Sequence, residues 1–471
     1  MYFNSFEFVL FFAIVYGLYV VLRHRQQNYL LLAASYFFYG WWDWRFLSLI
    51  VLSTLVDYFV GLALDSSSGK RRRRQLVWLS VGVNLGVLGI FKYFGFFAES
   101  LNVALAQFGI AMDARMADLV LPVGISFYTF QTMSYTIDIY YGKMKPTRSL
   151  LNFAVFVAYF PQLVAGPIER ASHLLPQVEK PRSINYEMIR EGLWLVLLGY
   201  FKKVVIADNM AEFTKPIFEN PEAASGLLIV AGIYAFAFQI YGDFSGYSDI
   251  ARGISKLMGF DIMVNFRMPY FATNPREFWQ RWHISLSTWL RDYLYIPLGG
   301  SRGGTRQTYR NLMITMTLGG LWHGAAWNFV AWGVYQGSIL CVHRYFAGDV
   351  PTPSGRKTWS ARLSHAAFVV LFFQVTCFGW LLFAVKDLRD VPLLLRNIFN
   401  PFELNFEMAA LSIVFFVAPL FVLDWYQERS RDMLVVKTWR PTVRLAVYAT
   451  LFAYILLCGV PAGEEFIYFQ F

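Results

Sequence analysis

The sequence predicts an all-α integral membrane protein with about eleven transmembrane helices plus re-entrant or interfacial helices. Of its 471 residues, 57% are hydrophobic and only 15% are charged, whereas about a quarter of a soluble globular protein is charged. Aromatic residues make up 19% of the chain, and tryptophan and tyrosine anchor helices at the lipid–water interface. Because no long polar segment interrupts the apolar ones, we predict that residues 1–471 form a single membrane domain.

Apolar stretches long enough to cross or half-cross a bilayer recur along the whole chain. They are residues 5–22, 28–42, 46–64, 76–97, 119–140, 151–165, 191–207, 226–242, 312–325, 327–346, 366–385, 408–425 and 444–460. A span needs about 20 apolar residues, so the shorter stretches, such as 151–165 and 312–325, are predicted to be tilted, re-entrant or buried in protein. Glu7 and the absence of a basic leader indicate that residues 5–22 are a first span and not a cleavable signal peptide.

Loop charge predicts the orientation of the chain, because cytoplasmic loops collect lysine and arginine. The basic segments assigned to the cytoplasm on this ground are 23–25, 70–74, 143–148, 180–182 and 429–444. The more acidic loops 98–118 and 209–225 are assigned to the outside. If 151–165 enters the membrane without crossing it, both termini lie outside. The net charge of +10 lies beside apolar stretches, which favours membrane lipids over nucleic acid as a partner.

The longest connection is residues 243–311, and its part 251–311 carries nine Lys or Arg residues against three acidic ones. Structureless loops of this length are uncommon, so we predict amphipathic or re-entrant helices at the cytoplasmic face, with Trp282 and Trp289 on their buried side. The turn L-G-G-S-R-G-G, followed by Arg306 and Arg310, is suited to binding the phosphates of a soluble donor such as an acyl-CoA. The same pattern is also typical of a basic turn at the membrane surface.

His323 is the leading candidate for a catalytic base. It lies in T-L-G-G-L-W-H-G-A-A-W-N, where no residue is formally charged, and lipid cannot satisfy the ring nitrogens of an imidazole. Histidine is also suited to proton transfer near neutral pH. The glycines on both sides permit close approach of a ligand, and Trp322, Trp327 and Trp332 are predicted to wall a dry channel. The structural alternative is a histidine that is hydrogen-bonded between two helices.

His283 lies in the more polar sequence R-W-H-I-S-L-S-T-W-L-R-D-Y-L-Y. The charged residues around it, Arg276, Glu277, Arg281 and Asp292, are compatible with a histidine on a helix surface. They are equally compatible with one that orients a substrate or takes part in proton transfer. The sequence leaves these two interpretations open.

Other polar residues in apolar stretches are interpreted as structural. We predict that Asp243 and Asp249 are caps and salt-bridge partners for the arginine-rich segment that follows, and that Asp57 and Asn84 form hydrogen bonds between helices. The three cysteines have no spacing typical of disulfides or zinc sites, and no metal site is predicted. The chain contains no P-loop, H-E-x-x-H or G-x-S-x-G motif, which disfavours ATP-driven transport, zinc proteolysis and an α/β-hydrolase mechanism.

Several sequence blocks resemble the membrane-bound O-acyltransferase (MBOAT) family, in particular its bacterial branch that includes alginate O-acetylation membrane proteins. The two histidine blocks are the specific ones, and the resemblance covers nearly the whole chain. The matching blocks are L-P-V-G-I-S-F-Y-T-F-Q (121–131), V-A-G-P-I-E-R (164–170), Q-I-Y-G-D-F-S-G-Y-S-D (239–249), F-W-Q-R-W-H-I-S-L-S-T-W-L-R-D-Y-L-Y (278–295), L-G-G-L-W-H-G-A-A-W (318–327) and the C-terminal F-I-Y-F-Q-F.

The resemblance implies a fold and an activity. The fold is a ring of tilted helices around a central funnel in a bacterial inner membrane, and helices within 312–346 carry the essential His323. His283 matches the second histidine of the family. Acetyl would come from cytoplasmic acetyl-CoA, with no permanently bound cofactor, and reach an extracytoplasmic polysaccharide through a periplasmic carrier protein. The side chains we assign to donor or substrate binding are Trp282, Trp322, Trp327, Asn328, Arg281 and Arg302.

Alternative functions follow from the same residues. A flippase for a lipid-linked sugar would need intramembrane carboxylates facing His323 and broken helices in pairs. A structural scaffold for polysaccharide export would tolerate loss of both histidines. A related enzyme would use another acyl donor, such as a D-alanyl carrier protein. The acceptor is left open among alginate, cellulose, peptidoglycan and other glycans.

Overall fold

A computed structural model describes residues 1–110, 120–164, 166–224, 226–347, 358–400, 406–460 and 466–467. Throughout these residues the regular structure is helical, without a β-strand, which confirms the predicted all-α class. The chain divides into two compact units, residues 1–193 with 251–263 and residues 194–250 with 264–471. Composition, which predicted one membrane domain, contains no sign of this division. Both histidines belong to the second unit.

The first unit consists of helices that follow one another along the N-terminal 193 residues, completed by residues 251–263. Serine side chains cap two of the helices by accepting a backbone N–H: Ser5 accepts from Phe8, and Ser149 accepts from Asn152. The helices are α1 (Phe6–Val21), α2 (His24–Asp43), α3 (Leu47–Ser66), α4 (Lys70–Leu88), α5 (Phe94–Ala106), α6 (Ile125–Tyr140), α7 (Leu150–Ala158), α8 (Phe160–Leu163), α9 (Ala171–Glu179) and the start of α10 (Tyr186–Tyr200).

The second unit begins within α10 and contains the remaining helices. Two π-helical segments, Phe201–Ala207 and Arg291–Tyr295, also belong to it. The helices are α11 (Asp208–Glu219), most of α12 (Leu227–Leu257), α13 (Pro275–Arg281), α14 (Ile284–Leu290), α15 (Gly304–His323), α16 (Trp327–Ala347), α17 (Trp359–Ala384), α18 (Asp390–Asn397), α19 (Phe406–Ser430) and α20 (Pro441–Cys458). The predicted connection 251–311 is therefore largely short helices and tight turns, as its length suggested.

Six helical segments of the described chain are long and apolar enough to cross a membrane. They are His24–Ser66, Lys70–Ala106, Leu227–Leu257, Trp359–Ala384, Phe406–Ser430 and Pro441–Cys458, and Phe6–Val21 is apolar but shorter. The first segment contains both α2 and α3, which are separate helices because Asp43, the last residue of α2, has an extended backbone (φ −159°, ψ 110°). The predicted class, a helical integral membrane protein, is confirmed. The count of about eleven spans and the funnel stay predictions.

The short stretch 151–165 forms two helices, α7 and α8, separated at Tyr159. All residues from 153 to 160 are buried, so the break in the helix lies inside protein. The Phe160 N–H donates to the Ser35 hydroxyl at 3.1 Å, which satisfies one of the backbone groups that the break releases. Non-helical backbone at membrane depth is tolerated under this condition, and the burial agrees with the predicted buried or re-entrant piece.

Asp57 and Asn84 join helices α3, α4 and α6 within the first unit, as predicted. Ser80 donates to Asp57, and the Asn84 amide donates to the other Asp57 oxygen at 2.8 Å. The amide oxygen of Asn84 accepts from Ser53 at 2.7 Å and from Thr132 at 3.2 Å. Each of these side chains is buried, so the cluster supplies hydrogen bonds that lipid cannot supply.

The motif Y-G-D-F-S-G-Y-S-D lies inside α12 and not at its end, which corrects the prediction that Asp243 and Asp249 cap the following segment. Both carboxylates pair instead with lysines of the π-helical segment. Lys202 Nζ lies 2.7 Å from Asp249, and Lys203 Nζ lies 2.9 Å from Asp243 and 2.8 Å from Asp208. Buried charges are retained in membranes when they are paired in this way.

The glycines of that motif permit this pairing. A Cβ atom on Gly246 would lie 2.8 Å from the Gly199 carbonyl oxygen, and one on Gly199 would lie 2.6 Å from the Gly246 carbonyl oxygen. Real side chains do not approach backbone so closely, so α12 and the end of α10 touch through bare backbone. The lysines that follow Gly199 therefore start close to the carboxylates of α12.

We predict that Asn84→Ala destabilises the protein by about 1–2 kcal/mol, because it leaves buried Asp57 and Ser53 groups without a hydrogen-bond partner. The measurement is thermal unfolding of the purified protein in detergent. Gln75→Ala is the matched control, since Gln75 lies on the same helix and is exposed. Equal effects of the two substitutions would contradict a structural role for the cluster.

Candidate active site

His283 lies between α13 and α14 in a left-handed backbone conformation (φ 42°, ψ 54°). For a residue with a side chain this conformation costs about 1–2 kcal/mol, so surrounding contacts must hold it. Asn265 provides them: its carbonyl oxygen accepts from the Ile284 N–H at 2.9 Å. Its side-chain oxygen accepts from the Ser285 N–H at 3.2 Å and from the Ser285 hydroxyl at 2.9 Å.

The same Asn265 oxygen determines the tautomer of His283. The oxygen lies 3.1 Å from Nδ1 of the ring, and its identity as oxygen follows because the Ser285 N–H can only donate. An amide oxygen can only accept, so Nδ1 carries the hydrogen and Nε2 carries the lone pair. The ring is completely buried, and burial lowers the pKa of His283 well below its usual range, with His323 lowering it further. Burial therefore favours the neutral form of His283.

His323 is the last residue of α15, and glycine contacts between α15 and α16 fix its position. A Cβ atom on Gly320 would lie 2.2 Å from the Phe329 carbonyl oxygen, and one on Gly333 would lie 2.5 Å from the Met316 carbonyl oxygen. Gly324 follows in an extended conformation (φ −154°, ψ 148°), and a Cβ atom there would lie 2.1 Å from the Phe329 ring. The hairpin is thus too close for any residue larger than glycine at these positions.

The structure brings the two histidines together. Their ring centroids lie 6.3 Å apart at an interplanar angle of 57°, and both side chains are buried. Trp322 lies beside both, with its centroid 5.1 Å from that of His323 and 5.9 Å from that of His283. The two histidines lie 40 positions apart in the chain, so the sequence could not show that they form one site.

Aromatic side chains enclose this pair. Around His323, Trp332 at 5.1 Å and Phe383 at 5.5 Å present themselves edge-to-face, and Phe244 does the same to His283 at 4.6 Å. Edge-to-face contacts are a favoured arrangement of aromatic rings. Trp322 and Trp332, two of the three tryptophans predicted around His323, therefore lie beside it, whereas Phe244 and Phe383 carried no signal in the sequence that set them apart from other apolar residues.

The residues assigned to donor binding divide into two groups. Trp282 and Asn328 are buried like Trp322; Trp282 stacks on Phe278 at 5.6 Å, and the Asn328 amide donates to the Phe383 carbonyl oxygen at 3.2 Å. Trp327, by contrast, is 59% exposed. Trp327 is the first residue of α16, and its place in the wall of the histidine chamber stays a prediction.

The two arginines assigned to donor binding differ in their partners and in their exposure. Arg281 donates to Glu277 at 2.6 Å and to Glu428 at 2.5 Å, so its charge is already balanced within the protein. A guanidinium between two carboxylates holds α13 against α19 and has little charge left for a phosphate, so the pairing gives no support to a donor role for Arg281, which stays a prediction. Arg302 is exposed in the glycine-rich turn, so its charge is accessible to a phosphate from solution.

The glycine-rich turn at 298–304 has a defined shape. Gly299 (φ 108°) and Gly300 (φ 56°) adopt backbone conformations that disfavour side chains. The Asn311 amide of α15 donates to the Gly300 carbonyl oxygen at 2.9 Å, so the turn is attached to the helix that ends at His323. Arg302 of the turn and Arg306 of the first turn of α15 are exposed side chains.

Comparison with known proteins agrees with this arrangement. The model of the MBOAT, membrane-bound O-acyltransferase family, matches residues 145–385, which include both histidines. The chain is 39% identical to a probable alginate O-acetylase AlgI of Pseudomonas putida, over 99% of each chain. It is 43% identical to a protein of the same description from Pseudomonas aeruginosa, over 82% of this chain and 72% of that one.

A further relative is described as acting on a different acceptor polymer. The chain is 35% identical to a peptidoglycan O-acetyltransferase of Helicobacter pylori, over 80% of this chain and 76% of that one. These three relatives share O-acetyl transfer in their descriptions and differ in the polymer that they modify.

We predict that Gly320→Ala lowers the free energy of unfolding by about 1–3 kcal/mol, because the added methyl group meets the Phe329 backbone and forces α15 and α16 apart. Gly319→Ala is the control: its nearest neighbour is Leu290 Cδ1 at 3.1 Å, the end of a flexible side chain. Denaturation of the two variants in detergent checks this. Equal losses would mean that the helix contact is less tight than described.

Proposed function

Since the chain belongs to the membrane-bound O-acyltransferase family, we propose that it transfers acetyl from cytoplasmic acetyl-CoA toward an extracytoplasmic polysaccharide, with His323 as general base. The activity class follows from family membership, and the chain is an O-acyltransferase. The observation that supports His323 as the base is the buried histidine pair inside an aromatic chamber. Donor, acceptor and residue roles are the parts proposed here.

The proposed reaction is one acyl transfer. The acceptor hydroxyl gives its proton to His323 as its oxygen forms a bond to the thioester carbonyl carbon. The carbon–sulfur bond then breaks, and the thiolate of the donor takes the proton back from His323. A base positioned in this way contributes about 10²–10⁴-fold to the rate, and the enclosed aromatic walls strengthen its electrostatic effect by excluding water.

His283 is proposed to assist as a neutral ring. Because Asn265 holds hydrogen on Nδ1, Nε2 carries a lone pair, which is the form of nitrogen that accepts a hydrogen bond from a hydroxyl group. The short distance between the two ring centroids allows one small acceptor group to contact both rings. His283 therefore fits a role in orienting the acceptor, with His323 removing the proton.

The donor is proposed to enter beside the glycine-rich turn. Arg302 and Arg306 are exposed there, and the helix that begins at this turn ends at His323. Phosphates of acetyl-CoA held at the turn would be favoured by the positive charge. The 20 residues of α15 span about 30 Å, the length that an extended thioester arm would have to cover.

The alternatives differ in what they require. A flippase path needs charged groups along the interior, but Asp243 and Asp249 are paired with lysines, and the family is one of acyltransferases. A D-alanyl donor would use the same histidines and would differ in the carrier. Transfer through a periplasmic carrier protein is a further part of the proposal that the site itself does not address, and so is the identity of the polysaccharide. The relatives are described as acting on alginate or peptidoglycan.

We predict that His323→Ala lowers acetyl transfer by at least about 10²-fold, because the general base is lost. The assay follows labelled acetyl from acetyl-CoA into polysaccharide in membrane vesicles, with thioester hydrolysis by the purified protein as a second readout. His343→Ala is the control, because His343 lies on α16 about 24 Å from the start of that helix. Activity retained by a normally inserted His323→Ala protein would refute the assignment.

We predict that Arg302→Ala raises the KM for acetyl-CoA several-fold and leaves kcat nearly unchanged, since the side chain would bind phosphate far from the reacting carbon. The difference from wild type should shrink at high ionic strength, because salt screens exposed charges. Arg71→Ala, an exposed arginine of the first unit, serves as the control. A KM that responds equally to both substitutions would indicate only general surface attraction.

A further inference from the structure

The two last helices, α19 and α20, line a groove of about 850 Å³. Its walls are mainly aliphatic, with Val414, Ala418 and Val422 from α19 and Val443, Val447 and Leu451 from α20. Several of these side chains are exposed, including Val414 at 62% and Val422 at 51%. Exposed aliphatic surface on apolar helices faces lipid, so the groove is open to the hydrocarbon phase.

Aromatic pairs mark the two ends of the groove. Phe415 and Tyr454 meet at one end with centroids 5.3 Å apart, and Tyr426 and Trp439 meet at the other end at the same distance. Phe415 and Tyr426 are eleven residues apart on α19, which corresponds to about 16 Å along the helix. The hydrocarbon core of a bilayer is about 30 Å thick, so the groove has the length of one leaflet.

The end marked by Trp439 is basic. Arg440 lines the groove directly, and its side chain is exposed. Arg444 lies one helical turn further along α20, and Arg431 precedes the groove in the connecting loop. The acidic Glu428 does not cancel this charge, since it is paired with Arg281 at 2.5 Å. An aromatic residue and arginines together at one end of an apolar groove indicate the level of the lipid headgroups.

We propose that this groove binds one anionic phospholipid, with an acyl chain between α19 and α20 and the phosphate at Arg440. The length of one leaflet favours a lipid over a partner helix, which would extend through both leaflets. The basic end favours an anionic headgroup, because each Lys or Arg near the surface attracts such lipids. No residue of the groove belongs to the histidine chamber, so the inference is independent of the proposed reaction.

The test is native mass spectrometry of the full-length protein with equal amounts of phosphatidylglycerol and phosphatidylcholine. We expect one phosphatidylglycerol to be retained in preference, and Arg440→Ala to weaken its binding about fivefold without affecting phosphatidylcholine. Ala418→Trp fills the groove and should reduce the binding of both lipids, because it blocks the acyl chain. Size-exclusion chromatography verifies that the variants are folded.

Matched controls separate the groove from general effects. Arg72→Ala removes an exposed arginine elsewhere, and Ala449→Trp adds a tryptophan to an exposed position of α20 outside the groove; both should bind lipid like wild type. The proposal is overturned by equal retention of the two lipids, by unchanged binding in Ala418→Trp, or by equal losses in Arg440→Ala and Arg72→Ala. A dimer that Ala418→Trp dissolves would also overturn it, with a second copy of the chain as the occupant.

Discussion

The close contact between α15 and α16 is the constraint on which the candidate active site depends. In lipid there is no hydrophobic force that drives two helices together, so association relies on close packing of small residues. Gly320 and Gly333 bring the backbones into contact, and the short link through Gly324 allows α16 to return at once beside α15. As a consequence, Trp332 of one helix lies against His323 of the other.

A second set of contacts places His283 opposite this hairpin. Its strained backbone is held by Asn265, whose own amide lies 3.3 Å from the Ser248 hydroxyl of α12. Helix α12 is in turn attached to the π-helical segment through Lys202 and Lys203. The position of a neutral imidazole therefore depends on buried ion pairs that never touch it. Paired charges at membrane depth are costly to break, which gives the whole arrangement rigidity.

The basic residues of the chain serve different purposes according to their surroundings. Arg73 of the run at 70–74 donates to backbone carbonyl oxygens at the ends of α3 and α6, including that of Tyr140 at 2.9 Å. Arg281 joins α13 to α19. Arg302 and Arg440, which are exposed, are suited to anionic molecules in solution and in the membrane respectively. A net charge alone does not distinguish these roles, because it says nothing about burial or partners.

The sequence by itself determined the class of the protein and most helix positions and made His323 the candidate base, because hydropathy and a histidine among uncharged residues are local properties of a chain in a membrane. The helical positions of Asp57 and Asn84 likewise sufficed to predict interhelical hydrogen bonds. Only the tertiary structure decided that His283 lies beside His323, that Asn265 sets its tautomer, that Arg281 pairs with two carboxylates and that Trp327 is exposed. These depend on contacts between segments distant along the chain, and a side chain's direction and partners follow from packing that residue types and spacing do not encode.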